Sequence, residues 1–318
     1  MSIYYELRSV GALQASTLAS NLVEVSADEA ATSALPVVEV LTPAQFCQLG
    51  LEDCTDLATS QTLADAESNY VDIYPDHVMG SFSVPARSLE AADPDTFAFF
   101  LDKRKLVFVD DGAAAKHVLA QIVQAGVLRS TSVAHCLYVF MKYLMLDDLD
   151  YMGTIEDNME DLEEAMMDLN TEVRTSQIMG YRRLSMRFAA FYQQLATMGA
   201  MLSDNENKMM SHEEARQFDH IENLADRLSN RADTLREYSL QLHELHQTHI
   251  DLRQNSIMQL LTIVTVILAP MTLVTGWFGM NLVTLPGADV PAMWAVMLGV
   301  FAVCIVALLV LFYRKRWL

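Results

Sequence analysis

The sequence predicts an α+β cytoplasmic domain built in αβα layers, then a long coiled-coil-like stalk helix, then two transmembrane helices. Three observations predict it. Two uncharged stretches close the chain, one between Arg253 and Asp289 and one between Asp289 and Arg314. No Pro or Gly interrupts the sequence between Met201 and Pro270, and apolar residues recur there in heptad steps. The first 130 residues instead alternate short β-rich runs with helical ones.

Within residues 1–130, VVEVL ahead of Thr42-Pro43 reads as a strand. The helix that follows has Thr42 as N-cap and Pro43 at its first position, where a missing N–H costs nothing. Segments 70–84, 96–101 and 105–109 continue as strands, and 113–127 reads as helical. Strands with intervening helices suggest an α/β or α+β layer. There is no Gly-rich nucleotide loop and no Ser/His/Asp or Cys/His arrangement, so the chain is not expected to be an enzyme.

Residues 131–211 read as a cytoplasmic helical pair, 132–170 and 172–202. The first helix has an apolar seam of Met152, Ile155, Met159, Leu162, Met166 and Leu169. Its other faces hold ten acidic residues between Asp147 and Asp168, with no Lys or Arg among them. Such charges repel by some tenths of a kcal/mol for each i,i+4 pair, so solvent, bound cations or a basic surface must offset them.

The stalk, 212–256, repeats Phe218, Ile221, Leu224, Leu228, Leu235, Tyr238, Leu242, Leu245 and Leu252. This seam is expected to bundle with neighbouring subunits. Continued to Asn281, the helix is roughly 105 Å long at 1.5 Å per residue. His243, His246 and His249 lie along it. Imidazoles suit Zn²⁺ better than Mg²⁺. Three at this spacing spread over about 120° of helix surface, so a polar stalk face is the preferred reading.

A bilayer core of ~30 Å needs about 20 apolar residues in a helix. The first span lies in 257–281 and the second is 292–313, joined by an outer loop, 282–291. The basic tail, 314–318, contains Arg314-Lys315-Arg316, whereas the loop has no Lys or Arg. The positive-inside rule then places both termini in the cytoplasm of a multi-pass protein of the cell (inner or plasma) membrane. The N-terminal MSIYYELRSVGALQAS has no secretory pattern, in keeping with that orientation. Cys47, Cys54, Cys136 and Cys304 form no C-x-x-C pair and read as reduced thiols of a cytosolic setting. The net charge of −20, from 41 acidic and 21 basic residues, excludes nucleic acid, because phosphate binding needs a surplus of Lys and Arg.

The second span is apolar all round. The first is not: Asn255, Met258, Thr262, Thr265, Ala269, Thr272 and Gly276 recur at steps of three and four along one face. Two readings are open. The face lines a hydrated pore, which needs several subunits, or it is a close helix–helix contact.

The first span ends in PMTLVTGWF followed by Gly279-Met280-Asn281, with one more span and a tail closing in KRWL. This arrangement resembles the CorA family of magnesium channels, and Asn255-x-x-Met258-x-x-Leu261 resembles the family's inner pore mouth. The resemblance implies a homopentamer in the lipid bilayer, with first spans around the pore and second spans outside. It makes Gly279, Met280 and Asn281, with Thr272 and Gly276 below them, the selectivity segment. Asn255, Met258, Leu261 and Thr265 become the constriction. Mg²⁺ sheds its water reluctantly, so a ring of neutral Asn281 amides suits a hydrated ion. A carboxylate ring would hold it too long for conduction.

The family also closes when internal metal is high. The resemblance therefore implies Mg²⁺ both as substrate and as regulatory ligand, with Co²⁺ and Ni²⁺ as further substrates and no other cofactor. Asp219 and Glu222 are the stalk candidates for that metal, with His220 at the family's expected position. One feature departs from the mainstream pattern: Leu285-Pro286-Gly287 stands where Met-Pro-Glu is usual, leaving Asp289 as the only acid of the loop. That loop is similar to the ZntB-like zinc-transporting branch, so a proton-coupled Zn²⁺ transporter is the alternative. A membrane-anchored coiled-coil scaffold without transport explains the stalk and acidic helix, but not a polar face confined to one span.

Overall fold

The computed structural model describes residues 2–8, 21–48, 68–90, 92–128, 130–167 and 173–279, with seven further positions between 299 and 314. The chain forms two compact units, Met1–His243 and Glu244–Leu318.

The first unit is built on strands β1 (Ile3–Leu7), β2 (Leu22–Val25), β3 (Val37–Leu41), β4 (Tyr70–Ile73), β5 (Val78–Val84), β6 (Asp95–Leu101) and β7 (Lys105–Val109). They form one sheet in the order β2-β1-β3-β7-β6-β5-β4. Only the central β3–β7 pair is parallel among these ladders. Every residue of β3 is buried, as a strand covered on both faces requires, and its VVEVL sequence is accordingly near-continuous in apolar residues. The one charge, Glu39, is paired with Lys105 on β7 at 3.2 Å.

Helices α1 (Ala27–Thr32), α2 (Pro43–Cys47), α3 (Ala114–Ala125) and α4 (Val133–Leu144) complete the layers. Alternation along each strand separates two cores. On one face Phe82, Phe97 and Phe108 gather around Phe140 of α4, whose ring stacks on Phe108 at 4.3 Å between centroids. On the other, Phe46 of α2 packs with Leu41, Met79, Phe100, Val107 and Val109. Each such aromatic pair adds about 0.5–1.5 kcal/mol beyond burial of its area. Cys136 of α4 is wholly buried, and burial pushes its thiol up to about 12, the state of an inert, reduced cysteine.

Thr42 caps α2 with Pro43 at the first turn, as the sequence requires. Strands β1 and β2 and helix α1 escaped the sequence reading. They are four to six residues each, too short for periodicity to stand out, although Ser26 and Glu29 form a capping box at α1. The start of α3 is unusual: Ala113 before it has φ 90°. Asp110 supplies the cap from a distance, accepting from the backbone N–H of Gly112, Ala113 and Ala115 at 2.7, 3.1 and 2.9 Å.

The helix expected over 132–170 is two helices, α4 and α5 (Asp148–Met167), separated at 145–147. A buried ionic group fixes the break. Asp148, 3% exposed, pairs with Arg87 at 2.8 Å, and Arg87 lies over the Tyr151 ring at 5.0 Å. The Tyr192 hydroxyl faces the same carboxyl without completing a hydrogen bond of ordinary geometry. Burial pushes the Asp148 carboxyl above its usual range, against the pull of Tyr192 and Arg87.

Two long helices follow, α6 (Thr175–Asp204) and α7 (His212–Gly279). They cross closely at Gly199, where a Cβ would sit 2.8 Å from the Glu222 nitrogen and 3.1 Å from the Phe218 carbonyl oxygen. Here one expectation is corrected. Along α7, Phe218, Ile221, Leu228, Leu235 and Leu242 are buried within the chain itself, not held free for neighbouring subunits. Gly199 of α6 lies against the backbone of this stripe, and Tyr138 of α4 packs edge-on against Phe218. Only farther on does the seam emerge, with Leu252 62% exposed.

Candidate functional site

Beyond Arg253 α7 carries no charge, and an 18-residue window of it is apolar enough to cross a membrane with 0% of it buried. Ile257, Met258, Leu260 and Leu261 are each more than half exposed. A helix this apolar and uncovered within its own chain must be covered by lipid or by other copies.

On the face read from the sequence, Asn255, Met258, Thr262, Thr265, Ala269, Thr272 and Gly276 are all exposed, as is Leu261 beside them. The hydroxyls along this helix share one arrangement. Thr262, Thr265, Thr272 and Thr275 donate to the carbonyls of Met258, Leu261, Leu268 and Met271 at 2.7, 2.7, 2.8 and 3.0 Å. Each proton is spent on the helix, so each oxygen has only lone pairs left for a partner. A row of such oxygens accepts hydrogen bonds from water around a cation and donates none. Pro270 stands inside the helix; without an N–H it leaves the Val266 carbonyl no partner one turn on.

The stalk candidates are placed separately. Asp219 accepts from the Ser203 hydroxyl of α6, His220 is exposed, and Glu222 is half-buried. Asp219 and His220 line an open groove with His212, Glu213, Arg216 and Gln217; Glu222 lies outside it. Among the described residues, no three His, Cys, Asp or Glu side chains are disposed to hold a metal within one chain. His243, His246 and His249 are half-buried, and the Nδ1 of His243 is buried without a partner. The acids of α5 are offset in part by α7: Arg231 pairs with Glu156, and the Tyr238 hydroxyl donates to Glu163 at 2.6 Å. Sequence reasoning missed these pairings because they join residues about 75 apart.

Residues 48–316 match the family model described as CorA-like Mg²⁺ transporter protein. The chain belongs to the CorA family. Among relatives, it is 24% identical over 196 residues to a cobalt/magnesium transport protein CorA of Thermotoga maritima, covering 61% of this chain. That match spans only 55% of the relative's own length. Among solved structures, the fold is similar to the complete CorA magnesium transporter of Methanocaldococcus jannaschii. The TM-score is 0.79 at 18% identity, over 100% of this chain and 99% of that one. The cytoplasmic domain of ZntB from Vibrio parahaemolyticus is also similar, with a TM-score of 0.57 at 14% identity over 78% and 97% of the two chains.

For a CorA-family chain, the order sheet, paired helices, long helix is thus accounted for. Gly279 is the last residue of α7. Met280, Asn281 and the outer loop lie outside the described residues, as does most of the second span, of which six positions are described, all helical.

Proposed function

We propose that the protein is one subunit of an oligomeric membrane channel for divalent cations, with Mg²⁺ as its principal substrate and Co²⁺ and Ni²⁺ as lesser ones. The observation that carries this reading is the first span. Its one polar face of proton-spent hydroxyls and small residues leads, within one helix, to Gly279, the first residue of the Gly279-Met280-Asn281 motif. A hydrated dication needs acceptors that do not strip its water, and the Thr262, Thr265 and Thr272 oxygens with the Asn281 amide supply that type of group. Met258 and Leu261 form the apolar ring that closes by dewetting. Five copies, as in the family pattern, surround the axis with first spans inward and second spans toward lipid, both termini in the cytoplasm. Internal Mg²⁺ bound between subunits at the level of Asp219, His220 and Glu222 lowers the flux.

A second reading, proton-coupled Zn²⁺ transport, is supported by the Leu285-Pro286-Gly287 loop and by the three stalk histidines. The deciding experiment is metal uptake into proteoliposomes, Mg²⁺ against Zn²⁺, with and without a proton gradient. Mg²⁺ flux that needs no gradient is expected. Zn²⁺ flux that follows the gradient overturns the channel reading, and no flux of either metal leaves the scaffold reading in its place.

A further inference from the structure

The stalk seam is turned inward as far as Leu242, so copies that assemble must meet in this unit through other faces. Two helix faces are uncovered. On α6, Arg183, Met186, Ala190, Gln193, Thr197 and Met201 recur in steps of three and four and are all exposed, Met186 to 47%. In a chain of net charge −20, α6 holds three arginines and no acid before Asp204. Along α5 and the turn before it, the outward row is Leu146, Asp150, Gly153, Asp157, Glu160 and Glu164, with no Lys or Arg between them. Leu146 and Leu149 are 51% and 62% exposed. Among the described residues, neither the four acids of this row nor Arg182 and Arg183 take part in an ion pair.

Gly153 adds a separate observation. It stands inside α5, where glycine weakens a helix relative to alanine, and a Cβ there would meet nothing within 4 Å. Nothing in its own chain requires the side chain to be missing.

The two rows match level by level. α5 runs alongside α7 at a constant offset, Glu156 to Arg231 and Glu163 to Tyr238 both being 75 residues apart. α6 runs antiparallel to α5. Tyr151 meets Phe188 with ring centroids 5.7 Å apart, Asp148 faces Tyr192, and farther along Tyr181 has its phenol raised by burial and by the charge of Asp161. Copies arranged around an axis along these helices keep every residue at its own level. Counted from the Tyr151–Phe188 contact, Gly153 is level with Met186, and Asp157 with Arg182 and Arg183. Leu149 and Leu146 are level with Ala190 and Gln193.

We propose that the α6 face of one copy docks on the α5 face of the next. Met186 sits over the bare Gly153, Arg182 and Arg183 meet Asp157 and Glu160, and the two leucines cover Ala190 and Gln193. The contact uses a different face on each partner, so every copy offers one of each and the contacts close into a ring. The opposite charges set its register. The proposal rests on the reading of the protein as an oligomeric channel and names the surfaces that assemble it.

The test uses the full-length chain in detergent, with Cys47, Cys54, Cys136 and Cys304 replaced by alanine, and size-exclusion chromatography with light scattering to establish assembly first. Gly153→Cys and Met186→Cys in one chain are expected to give, on oxidation, a ladder of multimers on a non-reducing gel. Either substitution alone gives no cross-link, and the two single variants expressed together give dimers only. Should the cysteine-free chain misfold, charge exchange in the native background replaces it. Arg183→Glu is expected to raise the concentration at which the oligomer dissociates about tenfold or more, and Asp157→Arg in the same chain restores it. An assembled oligomer that yields no cross-link, a cross-link confined to one chain, or a dimer from either single variant overturns the proposed interface and leaves the channel reading standing. In the charge exchange, dissociation unchanged by Arg183→Glu, or not restored by Asp157→Arg, does the same. A native chain that is monomeric throughout removes the channel reading and the interface with it.

Discussion

A hydroxyl that gives its proton to the carbonyl one turn below it keeps only lone pairs to offer, and Thr262, Thr265 and Thr272 are all in that state. In the proposed channel the corresponding group is the Asn281 amide, and Asn281→Ala is expected to abolish metal flux while the assembled protein still runs at its native size. Retained uptake in that variant removes Asn281 from the mechanism. A second prediction concerns Glu214, which accepts from Ser211 N–H at 2.8 Å and from Ser132, tying the start of α7 to the start of α4. Burial opposes its charge, but the hydrogen bonds from Ser132 and Ser211 outweigh that and hold its carboxyl below the usual range. A lowered folded-state value means stability that is complete above the unfolded value and is lost as pH falls through the folded one. The native chain should therefore lose melting temperature from about pH 5 downward more steeply than Glu214→Gln. Parallel pH profiles for the two proteins would falsify the linkage.

At the scale of elements, α7 carries two roles on one periodicity. Up to Leu242 its apolar stripe is buried against its own chain, and the crossing with α6 depends on the bare Gly199. Gly199→Ala places a methyl carbon against the backbone of Glu222 and Phe218, so a loss of about 1–3 kcal/mol is expected in thermal or chemical melts. An unchanged midpoint would show that the helices can move apart without cost. Beyond Arg253 the same helix presents Met258 and Leu261 uncovered. Met258→Gly is expected to raise single-channel conductance by widening the apolar ring, and conductance equal to the native value places the constriction elsewhere. The heptad steps were legible in the sequence, but their partner was not. Apolar residues at three- and four-residue spacing fit a neighbouring subunit or a neighbouring helix of the same chain equally well. The break between α4 and α5 was hidden for a related reason: Asp148 looks like one more surface acid until Arg87, 61 residues away, is brought to it.

For the whole molecule, the acidity that the sequence places ahead of the apolar stretches is not uniform. Glu156 and Glu163 meet partners on α7, whereas Asp157, Glu160, Asp161 and Glu164 stay on the surface or at its edge. If internal Mg²⁺ binds between subunits, millimolar Mg²⁺ should slow proteolysis of the full-length oligomer relative to EDTA. Identical digestion patterns would argue that the protein carries no regulatory metal there. The sequence by itself determined the uncharged apolar stretches at its end, the polar face of the first of them, the α+β character of the domain and the family. Each of these rests on local composition, on periodicity or on a contiguous motif, and chain order is enough to express them. Only the tertiary structure decided that the stalk seam is largely an internal contact and that Asp148 is a buried partner of Arg87. Those are matters of which groups are withdrawn from water together, and burial is set by residues far apart in the chain.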